Sequence, residues 1–453
     1  MVDRLVVIGG DAGGMTAASL ARRRRDADEL DIVVLERGNF TSYVACGIPY
    51  YIGDVVHDAD ALVARSPEEH RRRGIDARTH HEVASIDVAA QAVEYRDLHA
   101  DTEHRMQYDQ LIVATGAEPR QPPIPGIDAE GVFGVQTLDD GLAVRRFVDD
   151  ERPERGVVIG GGYIGLEMAE ALVRRGVQVT LLEQAPQPMT VLDVDMGALV
   201  AAALRDIGVE VVLDTPATEI EVDGRGVRGV ATDGASYRTD VVVLGLGVRP
   251  RGELADAAGI AVGETGGVVT DDRMETPVAG VWAAGDCVEV RHRVSGQPVA
   301  IALGTHANKQ GRVVGLNVSG GDARFPGVIG TAISKICDVE IGRTGLTEWE
   351  AIDAGFDVIG ATIESTTRAS YYPGTEPVTV KVVAERETGR MLGAQILGGQ
   401  GAAKRIDTAA VAVWNEMPVA DVESLDLSYA PPLSPVWDPI LVAARKAAEM
   451  LDS

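Results

Sequence analysis

The sequence predicts an α/β protein in three parts, two built on parallel sheets and a third of α+β character. Three observations predict it. A short apolar strand, a glycine turn and a helix-like segment occupy residues 5–25, and the pattern returns at residues 156–174. From about Gly327 the chain changes to strand-like runs with no such turn. Glycine is abundant (52 residues) and aromatic residues are scarce (4%), as expected of many tight strand-to-helix turns.

The first unit opens with Leu5-Val-Val-Ile8, followed by Gly9-Gly-Asp-Ala-Gly-Gly14, a helix expected over 15–25 and a strand Ile32-Val-Val-Leu35 that ends at Glu36. The spacing is that of a dinucleotide-binding βαβ unit. Gly9, Gly13 and Gly14 serve the turn and the close packing, the helix start faces a pyrophosphate, and Glu36 faces a ribose hydroxyl. Asp11 stands where the middle glycine usually does. Next comes Ser42-Tyr-Val-Ala-Cys46-Gly-Ile-Pro-Tyr-Tyr51, in which Pro49 suits a first helical turn behind the cysteine. A thiol at such a position is expected to be stabilised as thiolate by the helix dipole. An isolated cysteine is more often a buried structural residue, but the neighbouring nucleotide motifs reverse that preference. Arg22–Arg25 and Arg71–Arg73 form two basic clusters, which serve either as solvated helix faces or as the seat of a phosphate-rich ligand.

Leu111-Ile-Val-Ala-Thr115-Gly116-Ala117 reads as one buried strand, and Pro119, Pro122, Pro123 and Pro125 as a stiff crossover. The second unit, Gly156-Val-Val-Ile-Gly160-Gly-Gly162-Tyr163-Ile164-Gly165, has all three glycines, and its strand 177–182 ends at Glu183. Two copies in one chain are far more specific than one, and call for two different dinucleotides. Glu183 favours free ribose hydroxyls, with no arginine directly after it, so NADH is preferred over NADPH; Arg174 and Arg175 keep NADPH open. Val241–Leu244 is a further buried strand. The run 276–286 is expected as a strand ending in Gly285-Asp286, with the carboxylate placed for a sugar or ribitol hydroxyl. Beyond residue 327, strands are expected at 357–363, 380–383 and 391–397, helices at 401–416 and near the C-terminus, and an oligomerisation role.

A net charge of −27 excludes nucleic acid and anionic membrane as natural partners. Three cysteines form no disulfide framework, which predicts a reducing cytoplasm. No signal peptide, membrane-spanning run or metal-ligand cluster is read.

The combination resembles the pyridine nucleotide–disulfide oxidoreductases over essentially the whole chain. The single-cysteine motif, Tyr371-Tyr372-Pro-Gly374 and Tyr429-Ala-Pro-Pro resemble its coenzyme A-disulfide reductase branch, beside NADH oxidases, NADH peroxidases and persulfide reductases. The resemblance implies two Rossmann-like domains plus a C-terminal α+β dimerisation domain: FAD in 1–117 with 245–326, NAD(P)H in 118–244, and a homodimer through 327–453. It places Arg37, Val83, Thr115, Gly116, Gly285 and Asp286 with FAD, and Gly247 with the cofactor sites. Arg22, Arg23, Ser42, Arg73 and Asn308 are implied for the substrate, coenzyme A among the ligands. Hydride would pass from nicotinamide through flavin to Cys46, with Tyr429 and Tyr371, preferred over Tyr372, supplying the acid from the other subunit.

The second cysteine of dithiol relatives is absent, since that position is Tyr51, and no histidine follows His306 to act as their acid. Cys287 and Cys337 read as structural. Ala12 replaces the histidine of the oxidases and peroxidases, which disfavours oxygen or peroxide. The leading expectation is reduction of coenzyme A disulfide or a related small disulfide or persulfide. The alternatives are an oxidase or peroxidase cycling a sulfenic acid, and a flavoprotein redox sensor or electron donor to a protein.

Overall fold

The computed structural model describes residues 2–224 and 226–452. Strand β1 (Asp3–Ile8) buries Leu5 to Ile8 on both faces and pairs in parallel with β2 (Leu30–Leu35) and with Gln110–Val113. Continuous apolar runs of this kind belong in a parallel sheet covered on both sides. Helix α1 (Ala12–Arg24) makes the crossover, starting three residues before the expected Met15 because the glycine turn itself enters the helix. The sheet has five strands, ordered Val281–Ala283, Gln110–Val113, β1, β2, Asp76–Arg78. Its outermost strand, Val281–Ala283, comes from beyond the whole second sheet in sequence.

The second sheet repeats this order: Val132–Gly134, Val241–Leu244, Arg155–Ile159, Gln178–Leu182, Glu210–Val212, all parallel. The run 111–117 is not one strand. It ends at Val113, and Ala117–Pro119 pairs instead with Val248–Pro250, because the chain must leave the sheet at the nucleotide cleft. Likewise only Val281–Ala283 of the run 276–286 is strand.

The third sheet is antiparallel, ordered Ala332–Ile336, Val339–Gly345, Met391–Gly398, Pro377–Glu385, Val358–Thr366. Helices Ile406–Trp414 and Pro439–Leu451 cover it through Ile406, Ala409, Ile440 and Ala444, all fully buried. An ion cluster around the buried Lys381 and Asp193 fastens it to the second unit. Lys381 Nζ lies 2.9 Å from Asp195, 2.9 Å from Glu348 and 3.3 Å from Asp193. Among the described residues no helix is long and apolar enough to cross a membrane.

Candidate active site

Each glycine turn builds the same small machine. A Cβ on Gly9 would stand 2.1 Å from the Ala114 carbonyl oxygen, and its φ of +103° is open to glycine alone. Glu36 Oε2 accepts from the Gly10 N–H (2.8 Å) and Oε1 from the Gly38 N–H (2.7 Å). Those donors fix the carboxylate, and each oxygen keeps a lone pair for a ribose hydroxyl. A cleft of about 260 Å³ runs over this turn. Gly9, Glu36, Arg37, Val83, Thr115, Gly116 and Asp286 line it. Gly13 and Gly285 stand just behind, where a Cβ on Gly13 would lie 3.2 Å from the Gly285 nitrogen. Gly14 packs against Gly9. Asp11 and Arg251 also line the cleft. The first was visible as a departure from the glycine pattern; the second had no local signal and enters because Thr115 Oγ1 donates to its carbonyl (2.7 Å).

In the second turn Glu183 Oε2 accepts from the Gly161 N–H (2.6 Å) and Oε1 from the Ala185 N–H (2.8 Å). Gly160, Gly162, Ile164 and Gly165 form the turn and the first coil of helix Tyr163–Arg174. Tyr163 lines a wider cleft of about 780 Å³, with Arg343 and Glu350 from the third unit. Asp286 and Ala117 line both clefts, so the two are neighbours. Gly247, with φ +77°, turns the chain into Val248–Pro250 beside this cleft.

Cys46 is exposed, in a short 3-10 turn (Ala45–Gly47) that leads into helix α2 (Ile48–Ile52). Ile48 and Ile52 are buried against the second unit's helices Leu138–Glu151 and Tyr163–Arg174, worth about 2 kcal/mol each. Gly141 permits the contact, since its Cβ would meet Ile48 Cγ2 at 2.6 Å. Arg145 then donates to the Tyr51 carbonyl (2.6 Å) and Arg175 to the Ile52 carbonyl (3.1 Å), so two cations cap the carbonyl end of α2. The thiol is thereby held by both nucleotide units.

The thiolate expectation is corrected. Desolvation and the nearby Glu167 carboxyl push the Cys46 thiol up from its ordinary value. A helix of five residues has too small a dipole to offset them. Glu167 is itself raised by burial and accepts from Ser334 Oγ (3.0 Å). Sequence reading missed it because it lies far from Cys46 in the chain. The other cysteines are less open, Cys287 buried and Cys337 half-buried. Cys287 is fully buried with its thiol directed at the Val113 and Ala284 carbonyls, and burial beside Glu170 pushes Cys337 up to about 11.

The two basic clusters meet. Arg22 Nε donates to the Gly74 carbonyl (3.0 Å), joining α1 to the turn after helix Pro67–Arg72. Arg22 also donates to the Arg25 and Leu30 carbonyls, so much of its guanidinium is committed to the backbone rather than to a ligand. Arg23 and Arg73 are exposed, with no carboxylate partner among the described residues. Ser42 Oγ lies 3.1 Å from His70 Nε2, and burial, Arg65 and Arg73 lower His70 to about 4, so its ring is neutral. Asn308 Oδ1 accepts from Thr16 Oγ1 (2.8 Å), linking α1 to helix Gly304–Asn317. Tyr371 and Tyr429 are brought together: desolvation and the neighbouring Tyr371 hydroxyl raise Tyr429. No hydrogen bond joins either to Cys46 among the described residues. Both are exposed, as are Leu433, Val436 and Trp437 shortly after Tyr429 in the chain.

Residues 3–311 match the model for pyridine nucleotide-disulphide oxidoreductases, and residues 331–439 match the dimerisation domain of the same family. The chain belongs to that family. It is therefore an FAD- and NAD(P)H-dependent oxidoreductase with a dimerisation domain. The fit is local as well, since each glycine turn carries a carboxylate already oriented for ribose. The chain is 39% identical over 444 residues to an NAD(P)H sulfur oxidoreductase (CoA-dependent) of Pyrococcus abyssi, covering 97% of each. It is 36% identical to an NADH oxidase of Methanocaldococcus jannaschii, covering 99% of this chain and all of that one. Its fold matches an NAD-dependent persulfide reductase from A. fulgidus with a TM-score of 0.96 and 39% identity, over 99% of this chain and 83% of that one.

Proposed function

We propose that this oxidoreductase uses NAD(P)H, with NADH preferred, to reduce coenzyme A disulfide or a coenzyme A persulfide through Cys46. The observation that carries the reading is one exposed thiol, anchored between the two nucleotide units, while Cys287 is buried and Cys337 half-buried. FAD belongs to the cleft over Gly9 and Glu36, and nicotinamide to the side of Gly160, Tyr163 and Glu183. We divide the chain accordingly into 1–117 with 245–326, 118–244 and 327–453. Bound FAD and nicotinamide supply the electron pair that returns Cys46 to its thiolate.

The chain's own part is disulfide exchange. The Cys46 thiolate attacks one sulfur of the disulfide, the S–S bond breaks, and a Cys46–coenzyme A disulfide forms as one coenzyme A thiolate leaves. Overall, one disulfide, NADH and a proton give two thiols and NAD⁺. For a persulfide the products are one thiol, hydrogen sulfide and NAD⁺. Tyr371 and Tyr429 protonate the leaving thiolates, and Arg23 and Arg73 take the phosphates, with Arg22, Ser42 and Asn308 shaping the approach. The dimerisation-domain match and the exposed Leu433, Val436 and Trp437, suited to cover by a second copy, support a homodimer. Its three free cysteines suit a reducing cytoplasm.

The test is intact mass under denaturing, non-reducing conditions, before and after dithiothreitol. Loss of one coenzyme A mass, mapped to Cys46, supports the reading. Added oxygen at Cys46 favours the second reading, an NADH oxidase, which the Methanocaldococcus relative supports and Ala12 disfavours.

A further inference from the structure

The first glycine turn holds a carboxyl that its repeat lacks. Asp11 occupies the place of Gly162, at the start of α1, where the middle glycine ordinarily lets the backbone approach a pyrophosphate. Its side chain makes no capping bond to α1, and its Oδ1 is buried with no partner. Glu36, from the end of β2, and Asp286, from the turn after Val281–Ala283, line the same cleft. Three carboxyls from three elements thus converge on the turn that must receive a dianionic pyrophosphate. The two arginines of the cleft each face another carboxylate, Arg37 the cleft's own Glu82 (4.0 Å) and Arg251 Glu118 (3.4 Å). The Tyr43 and Ala12 N–H groups face Asp11 and favour its anion, but burial and Glu36 outweigh them and push Asp11 up to about 7. Tyr43 and Cys46 are the other titratable groups within its reach, and His81 lines the cleft.

We propose that FAD binding takes up one proton at Asp11, whose carboxylic acid then donates a hydrogen bond to the dinucleotide in the first glycine turn. The inference rests on FAD occupying this cleft. A buried carboxyl facing further negative charge is neutralised rather than paired, and only the neutral form can donate. Flavin affinity is therefore set by pH. Below about pH 7 the acid is already protonated and Kd is flat. Above it each binding event must fetch a proton, and Kd rises towards about tenfold per pH unit.

The experiment dilutes the holoenzyme to equilibrium between pH 6 and 9 and reads released FAD by its fluorescence. Wild type is expected to show the rising limb, and Asp11→Asn a Kd that stays flat and low. Asp11→Gly, which restores the residue of the second copy, tests the same point if the amide folds poorly. A flat wild-type profile, or a slope that both variants retain, overturns the proposal and moves the proton to another group. Glu36→Ala separates the parent reading: if it holds FAD as tightly as wild type, the flavin is not in this cleft, whatever the slope.

Discussion

The two glycine turns are near copies in geometry and unlike in surroundings. Gly9 and Gly160 have φ of +103° and +100°, and each would drive a Cβ into a backbone carbonyl, of Ala114 at 2.1 Å or of Gly245 at 2.5 Å. Glu36 and Glu183 each accept from two backbone N–H groups at matched places. The differences lie in what else meets the turn. The first has Asp11 and, through the following segment, Cys46; the second has Gly162 and a wide cleft shared with the third unit. One frame thus sets its cleft beside a thiol, and its repeat opens onto a wider cleft shared with the third unit.

The largest expected effect breaks the comparison at the thiol. Cys46→Ser should lower NADH-dependent reduction of coenzyme A disulfide by more than about 10³-fold, with flavin content unchanged, because no other cysteine can take its place. Steady-state turnover together with the flavin absorbance checks both halves. If the variant turns over normally, the exchange mechanism is wrong.

Next come the paired carboxylates. Glu36→Ala should cost the protein its flavin on gel filtration. Glu183→Ala should leave flavin in place and raise KM for NADH roughly tenfold, the equivalent of one hydrogen bond to a charged group. Equal loss of flavin in both variants would sink the assignment of different cofactors to the two copies.

A smaller effect belongs to the tyrosines. Tyr429→Phe and Tyr371→Phe should each lower kcat about a hundredfold, the lower end of the usual scale of a general acid. The double variant should cost little more than either alone, since the two hydroxyls are neighbours and act as a unit. Additive losses would mean that they act separately.

The smallest sharpens the electrostatics of Cys46. Its raised thiol means that alkylation by iodoacetamide should accelerate with pH above the ordinary thiol range, as the thiolate forms late. Glu167→Gln removes a negative charge that opposes the thiolate, so the profile should move to lower pH by a fraction of a unit. An unmoved profile would show that burial alone sets the thiol.

Much of this site was legible in the chain because its parts are local. The glycines, Glu36 and Glu183 sit at fixed offsets in contiguous strand–turn–helix segments, and steric rules that act over a few residues dictate them. The tyrosine pair was anticipated only through resemblance, and the structure brings Tyr371 beside Tyr429. The arginine clusters were ambiguous for a physical reason: a guanidinium gives no local sign of whether it will face a carbonyl or a ligand. Arg22 turned inward to Gly74 and Leu30, whereas Arg23 and Arg73 stayed exposed. The run 111–117 was read as one strand because apolar character does not reveal where pairing stops.

The sequence by itself determined the α/β class, the repeated turn, the carboxylate at the end of each second strand and the presence of one unpartnered thiol in its motif. Only the tertiary structure decided what those groups are chemically. It brought Glu167 and Arg145 from the second unit to the two ends of the Cys46 segment, and Glu36 and Asp286 to Asp11. Protonation and charge answer to neighbours in space and to the loss of water, and no short stretch of chain contains either.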